Sequence, residues 1–363
     1  MARGTYATIN LDALVYNFLQ VKHLSPRSKH VAVIKADAYG NGAIPVAKAL
    51  TPYTNMFAVA FLEEAIALRE AGITLPILVL QGPYAYQELE NTKTLNLHWV
   101  LHTETQLAWF SEYLSHSDIQ GHQWVKVDSG MHRLGLPMNE FDDLMRRYPT
   151  VMSNKCVIMT HLAAADEDDQ TQTNIQINSF LSKVSASDFA LSIANSAGAI
   201  ALPKARQNFN RIGISTYGST PFCSDRQITL RPVMTLSAPI IAVREIPKGD
   251  TVGYGMTWQA TKPTTIATVA IGYADGYPRH AQNGTPAVLH NRRISLVGRV
   301  SMDMITYDIS NVENVKIGDM VELWGNQLPI NEIASYVGTI GYELMTRVSK
   351  RVPRKYIHAK EKT

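Results

Sequence analysis

The chain has 363 residues, 45% of them apolar, with 34 Lys and Arg against 31 Asp and Glu for a formal net charge of +3. That composition supplies a sizeable core and excludes disorder over most of the chain; the weak, scattered positive charge argues against a nucleic-acid partner. Two cysteines, Cys156 and Cys223, are too few for a disulfide framework or a Cys-rich zinc site and fit a reducing compartment.

Residues 1–20 hold no signal-peptide core, and no apolar run nears the roughly 18 residues of a membrane span, so a soluble cytoplasmic protein with no membrane partner is expected. Short β-branched runs predict strands at 31–34, 57–60, 77–80, 98–101, 124–127, 157–160, 190–194 and 210–214. Between them the apolar spacing predicts helices over 61–71, 103–114, 139–148 and 169–184, with Thr103-Glu104-Thr105-Gln106 read as a capping box. Eight strand–helix units over roughly 200 residues predict an α/β fold with an N-terminal (β/α)8 TIM-type barrel; an open doubly wound sheet is the alternative.

The pattern changes near Arg231-Pro232. Beyond it, Val-, Ile- and Thr-rich runs predict strands at 238–243, 265–271, 287–289, 294–297, 304–308 and 320–323, with one helix near 329–337. Two domains are expected, a barrel over 1–230 and a mostly β domain over 231–363. The basic run 350–355 reads as a solvated tail.

There is no Walker loop, His-Glu-x-x-His or Gly-x-Ser-x-Gly. Asp166-Glu167-Asp168-Asp169, beside His161, reads as an acidic helix start rather than a ligand set, and no metal is expected. The ends of the predicted strands are more informative. Strand one ends in Lys35, strand five carries Lys126 and Asp128 and runs into Arg133, strand six ends at His161, strand seven at Asn195-Ser196, and strand eight carries Arg211. In a barrel these groups converge on one rim, where active sites are built. A lysine amine forms Schiff bases with aldehydes, and the loops after strands seven and eight, here Ser196 and the amides of Gly213 and Ile214, are the usual phosphate site of barrels. Together they suggest pyridoxal phosphate.

The segment Ala32-Val33-Ile34-Lys35-Ala36-Asp37-Ala38-Tyr39-Gly40-Asn41-Gly42 resembles the cofactor-attachment signature of alanine racemases. The resemblance continues through Asp128-Ser129-Gly130-Met131-His132-Arg133-Leu134-Gly135, Thr160-His161-Leu162-Ala163, Ala194-Asn195-Ser196-Ala197 and Arg211-Ile212-Gly213-Ile214. Past residue 231 it covers Val252-Gly253-Tyr254-Gly255, Ile271-Gly272-Tyr273-Ala274-Asp275-Gly276, Val297-Gly298-Arg299-Val300-Ser301-Met302-Asp303 and Arg351-Val352-Pro353-Arg354. The motifs run nearly end to end, in order and with similar spacing.

The resemblance implies interconversion of L- and D-alanine by a homodimer, with pyridoxal phosphate as a Schiff base on Lys35. Tyr39, Ser196, Gly213 and Ile214 would hold the phosphate, and Arg211 would face the pyridine nitrogen. Lys35 and Tyr254, the latter from the partner subunit, would be the two catalytic bases, with His161 and Arg211 supporting the tyrosine. Arg133 and the backbone at Met302 would take the substrate carboxylate, and Lys126 matches a position that is often carbamylated. One departure is expected: Lys350 stands where some relatives place a tyrosine that reaches the phosphate.

A racemase of broader or different specificity, acting for example on serine, is the alternative activity. A related decarboxylase is disfavoured by Arg211 and by the lack of any cysteine after Cys223, and a cofactor-carrier protein by the second domain. The cellular role, in cell-wall synthesis or in alanine breakdown, stays open.

Overall fold

In a computed structural model, residues 3–117, 119, 121–184, 188–222 and 228–358 are described; Cys223 lies outside them. Eight parallel strands form the first layer: Lys29–Val33, Met56–Val59, Ile77–Val79, Leu97–Leu101, Gln123–Asp128, Val157–Met159, Ala190–Ser192 and Phe209–Ile212. Each coincides with a predicted strand to within a few residues. The last pairs with the first, Arg211 opposite Val31. The seventh reaches the eighth through Arg211 N–H to the Ala194 carbonyl, 3.0 Å, and Ser192 Oγ–H to the Phe209 carbonyl, 2.9 Å. The sheet therefore curls back on itself, which rules out the open alternative.

These strands are buried on both faces, as strands sandwiched between a barrel interior and outer helices must be. Met56–Val59 is buried at every residue. Trp99, Trp124, Phe57, Phe110, Phe141 and Phe180 are the large fully buried side chains of this layer. The predicted helices appear as Leu62–Glu70, Glu104–Ser115, Phe141–Arg147 and Thr171–Val184. Thr103 caps its helix by accepting the Gln106 amide, but the box is only half formed. Gln106 instead accepts from the His102 amide and donates to the Pro83 carbonyl, which ties the helix to the preceding loop.

The second sheet is antiparallel over Met234–Ile246, Thr264–Val269, Pro286–Leu289, Arg292–Leu296, Ile305–Asp308 and Met320–Trp324. Two strands not foreseen complete it. Tyr6–Asn10 runs antiparallel to Met234–Ile246, and Arg354–Ile357 runs parallel to Tyr6–Asn10. Tyr6–Asn10 carries a segment counted above with the barrel into the other sheet. Its alternating burial reflects a half-covered strand. The reading of 350–355 as a solvated tail is corrected: Val352 is fully buried, and the Arg354 guanidinium donates to the carbonyls of Gly40, Val348, Ser349 and Val352. Apolar Val352 and these carbonyl acceptors draw the basic run onto the body of the protein. Among the described residues no helix is long and apolar enough to cross a membrane.

Candidate active site

Lys35 emerges where the first barrel strand ends. The next four residues, Ala36, Asp37, Ala38 and Tyr39, have φ of 53°, 52°, 52° and 54°. They form one left-handed helical turn built without glycine, at roughly 1–2 kcal/mol per residue. Its compensation comes from several directions. Asp37 accepts the Ala43 amide at 2.7 Å, and Asn41 Nδ2 donates to the Ala38 and Tyr39 carbonyls. Glu64 accepts the amides of Ala36 and Ala60 at 2.6 and 2.7 Å. Gly40, at φ 77°, ends the turn, where a Cβ would stand 2.2 Å from the Met345 carbonyl. The turn sends Tyr39 inward, with its ring 4.7 Å from Tyr217 and 5.9 Å from Tyr342.

A cavity of about 580 Å³ opens at this end of the barrel. Lys35, Lys126, Arg133, His161 and Arg211 line it, and so do Tyr39, Ser196, Gly213 and Ile214. Of the residues to which the resemblance gives a role, the structure thus gathers all but Tyr254 and Met302; Asp128 and Lys350 also lie outside the lining. Tyr254 and Met302 lie in the second domain, 71% and 53% exposed. Tyr254 sits between Gly253 and Gly255, both at φ 74°. The Met302 carbonyl accepts from the Ala274 amide, and the Ser301 carbonyl from Tyr273.

Arg211 is buried, and its terminal nitrogens are fully engaged. Nη1 donates to the Ser192 carbonyl and hydroxyl at 3.0 and 2.5 Å, and Nη2 to the Thr160 and Ile193 carbonyls at 2.7 and 3.1 Å. None of these bonds uses Nε. Burial pulls its pKa down to about 10, so it remains a cation at neutral pH. Nη2 also donates to His161 Nδ1 at 3.2 Å. A guanidinium only donates, so Nδ1 accepts and the ring proton sits on Nε2. Burial, then the charges of Arg211, Lys126, Arg133 and Lys35, hold His161 well below its usual pKa and therefore neutral.

The two lysines are also poised toward the neutral amine. Burial, then Arg133, lowers the Lys35 pKa against the pull of Glu64. Burial, then Arg211 and Arg133, brings Lys126 down to about 8 against the opposing charge of Asp128. Asp128 itself is turned toward its loop: Oδ1 accepts the amides of Gly130, Met131 and His132, and Oδ2 pairs with the His132 ring at 3.1 Å. Burial raises the Asp128 pKa, but those amides outweigh it and leave the group below its usual value.

At the phosphate end predicted from sequence, Ser196 Oγ accepts the Gly213 amide at 2.9 Å and the Ser215 hydroxyl at 3.1 Å. A Cβ on Gly213 would stand 2.8 Å from the Tyr39 hydroxyl. That bare backbone beside two hydroxyls is a cradle suited to a compact anion. With an amine held toward its neutral form and a fixed guanidinium in the same cavity, the donor set fits pyridoxal phosphate.

Several contributors were not legible in the sequence. Tyr342 lines the cavity, whereas Lys350 is exposed and does not. An aromatic side chain of the cavity wall thus comes from helix Gly341–Arg347, not from position 350. Asp275, fully buried, pairs with Arg3 at 2.7 Å and accepts the Gly272 amide, while Arg351 bonds Asp303 at 2.6 Å. No periodicity marks these residues; only their neighbours in space do. The acidic run 166–169 ends in Asp169, which accepts the Thr171 amide at the helix start.

Residues 9–221 match the family model for the alanine racemase N-terminal domain, and residues 233–356 match that for the C-terminal domain. The chain is 46% identical to an alanine racemase of Alteromonas mediterranea, over 98% of this chain and 99% of that one. It is 42% identical to one from Vibrio cholerae over 98% and 99%. A solved biosynthetic alanine racemase from Pseudomonas aeruginosa superposes with a TM-score of 0.92 at 40% identity, covering 98% of this chain and all of that one. Another from Bartonella henselae, solved with covalently bound pyridoxal phosphate, superposes at 0.90 with 29% identity, covering 98% and 99%. Full-length agreement in sequence and fold places this chain in the alanine racemase family.

Proposed function

We propose that the chain interconverts L- and D-alanine, with pyridoxal phosphate attached to Lys35. The observation that carries this reading is the convergence of Lys35, Arg133, His161 and Arg211 with the Ser196–Gly213–Tyr39 cradle in one cavity. When bound, the cofactor supplies an aldehyde that condenses with amines and a ring that acidifies the substrate Cα–H. Tyr39, Ser196, Gly213 and Ile214 would hold its phosphate, and Arg211, whose Nε is not used in the bonds that fix its terminal nitrogens, would donate to its ring nitrogen. A guanidinium there would donate without giving up its proton, which suits a reaction in which a proton only leaves and returns. Arg133 and the backbone at Met302 hold the substrate carboxylate.

Inversion needs a base on each face of Cα. The Lys35 amine takes or returns the proton on one face and Tyr254 Oη on the other, so the pair exchanges roles with reaction direction. A free phenol near pKa 10 is a weak base at neutral pH. The neutral His161, with its proton on Nε2 and Arg211 behind it, is suited to stabilise the phenolate. Because Tyr254 and Met302 are exposed and outside the cavity, they serve a neighbouring subunit in a homodimer. In this reading a cofactor unit over 1–230 and a delivering unit over 231–363 share the work, with strand Tyr6–Asn10 crossing between their sheets. Lys126, a buried amine among Arg211, Arg133 and Lys35, is the carbamylation site. Carbon dioxide adds to the neutral amine with loss of a proton, and a repelled cation becomes an anion beside Arg133.

The test is a turnover panel of L- and D-amino acids with added cofactor, read by Cα exchange in deuterated solvent and by polarimetry. Alanine should be exchanged and racemised fastest. Cofactor binding without Cα exchange of alanine overturns the proposal.

A further inference from the structure

Two side chains from outside its own segment hold the lysine-bearing turn: the Arg354 guanidinium at its end, on the Gly40 carbonyl, and the Glu64 carboxylate at its start. Glu64 stands in the first turn of helix Leu62–Glu70. One oxygen accepts the amide of Ala36, the residue directly after Lys35, and the other accepts the amide of Ala60, directly after strand Met56–Val59. The carboxylate therefore joins the start of the left-handed turn to the neighbouring strand end. It fixes the point at which the Lys35 side chain departs. The charged and titratable groups acting on or with the Lys35 amine are Arg133, Lys126, His161 and Glu64. Three of these are cationic or held neutral; Glu64 is the anion.

We infer that Glu64 is a positioning residue for Lys35: through the Ala36 amide it fixes the amine at the cavity wall, and it supplies the negative charge beside it. The inference rests on the reading of Lys35 as the attachment and proton-transfer amine. Glutamine at this position keeps the shape but turns an NH2 toward one of the two amides and removes the charge. Aspartate keeps the charge but is one methylene too short to reach both amides.

The experiment uses the cofactor-loaded full chain as wild type, Glu64→Gln, Glu64→Asp and, as a control, Glu63→Gln on the exposed neighbouring carboxylate. Borohydride reduction and peptide mapping of the wild type come first. Label on Lys35 is expected, and label elsewhere overturns both this inference and the reading beneath it. The pH dependence of kcat and of the bound cofactor's absorbance without substrate is then measured. Glu64→Gln should lower kcat about tenfold or more with KM within about threefold, the pattern of a lost transition-state contribution. Its acid limb and its absorbance titration should both move to lower pH, because removing an anion disfavours protonation of the Lys35 nitrogen. Glu64→Asp should keep the limb in place with an intermediate kcat, and Glu63→Gln should match wild type.

Wild-type kcat and limb in Glu64→Gln overturn the inference. So does a kcat loss with an unmoved limb and no recovery in Glu64→Asp, which is what a purely structural role would give. Should Glu64→Gln not fold, Glu64→Met takes its place: reduced kcat with a limb moved to lower pH supports the inference, and an unmoved limb overturns it.

Discussion

Arg211 and His161 share a hydrogen bond in which the guanidinium Nη2 donates to Nδ1 at 3.2 Å. The same nitrogen is held by the carbonyls of Thr160 and Ile193, so the arginine cannot swing away without stranding buried acceptors. The histidine tautomer is thereby set by the barrel strands rather than by solvent.

Arg211→Lys tests that arrangement. A lysine ammonium cannot reach Ser192, Thr160, Ile193 and His161 together, and unsatisfied carbonyls remain at about 1–3 kcal/mol each. Alanine racemisation should fall about 100-fold or more in kcat/KM. Thermal unfolding should shift downward in parallel, and retention of both activity and thermal midpoint contradicts the arrangement.

Gly213→Ala probes the cradle. The added methyl would sit 2.8 Å from the Tyr39 hydroxyl, in the wall of the cradle. Cofactor affinity, read by absorbance titration, should weaken about tenfold, equivalent to about 1.4 kcal/mol.

Carbamylation of Lys126 carries a defined pH sign. Only the neutral amine adds carbon dioxide, and with a pKa of about 8 that fraction grows as pH rises toward 8. Native mass spectrometry in bicarbonate should show an increment of one carbon dioxide that grows with pH over this window. It should vanish in Lys126→Met. An increment that persists in the variant moves the modification elsewhere.

Shared active sites predict complementation. Lys35→Ala and Tyr254→Phe homodimers should each be nearly inactive. Unfolded together and refolded, they should recover about a quarter of wild-type activity, because half the dimers are mixed and each mixed dimer keeps one intact site of two. No recovery rules out a site built from two chains.

Most of the barrel was legible because its strands are short β-branched runs separated by amphipathic helices, a pattern that period and length resolve. The rim residues Lys35, His161, Ser196 and Arg211 followed from their places at strand ends. The handedness of the turn at 36–39 did not: no glycine stands there, and of its four residues only Asp37 is of a type that visits positive φ readily. The turn persists because Glu64, Asp37, Asn41 and Arg354 hold it from several directions. Tyr342 and Asp275 escaped notice for the same reason, since each acts through partners distant along the chain. Tyr6–Asn10 and Arg354–Ile357 are too short and too far apart for periodicity to pair them.

Strand Tyr6–Asn10 lies between Met234–Ile246 and Arg354–Ile357, and Arg354 also grips Gly40 beside the lysine turn. During synthesis the barrel strands leave the ribosome well before residue 354 exists. The nascent chain can assemble its barrel early, but strand Tyr6–Asn10 waits with one edge bare and the lysine turn lacks a clamp until residues 354–357 arrive. The lysine turn thus takes its final form only after some 350 residues have been made, long after its own residues have left the ribosome.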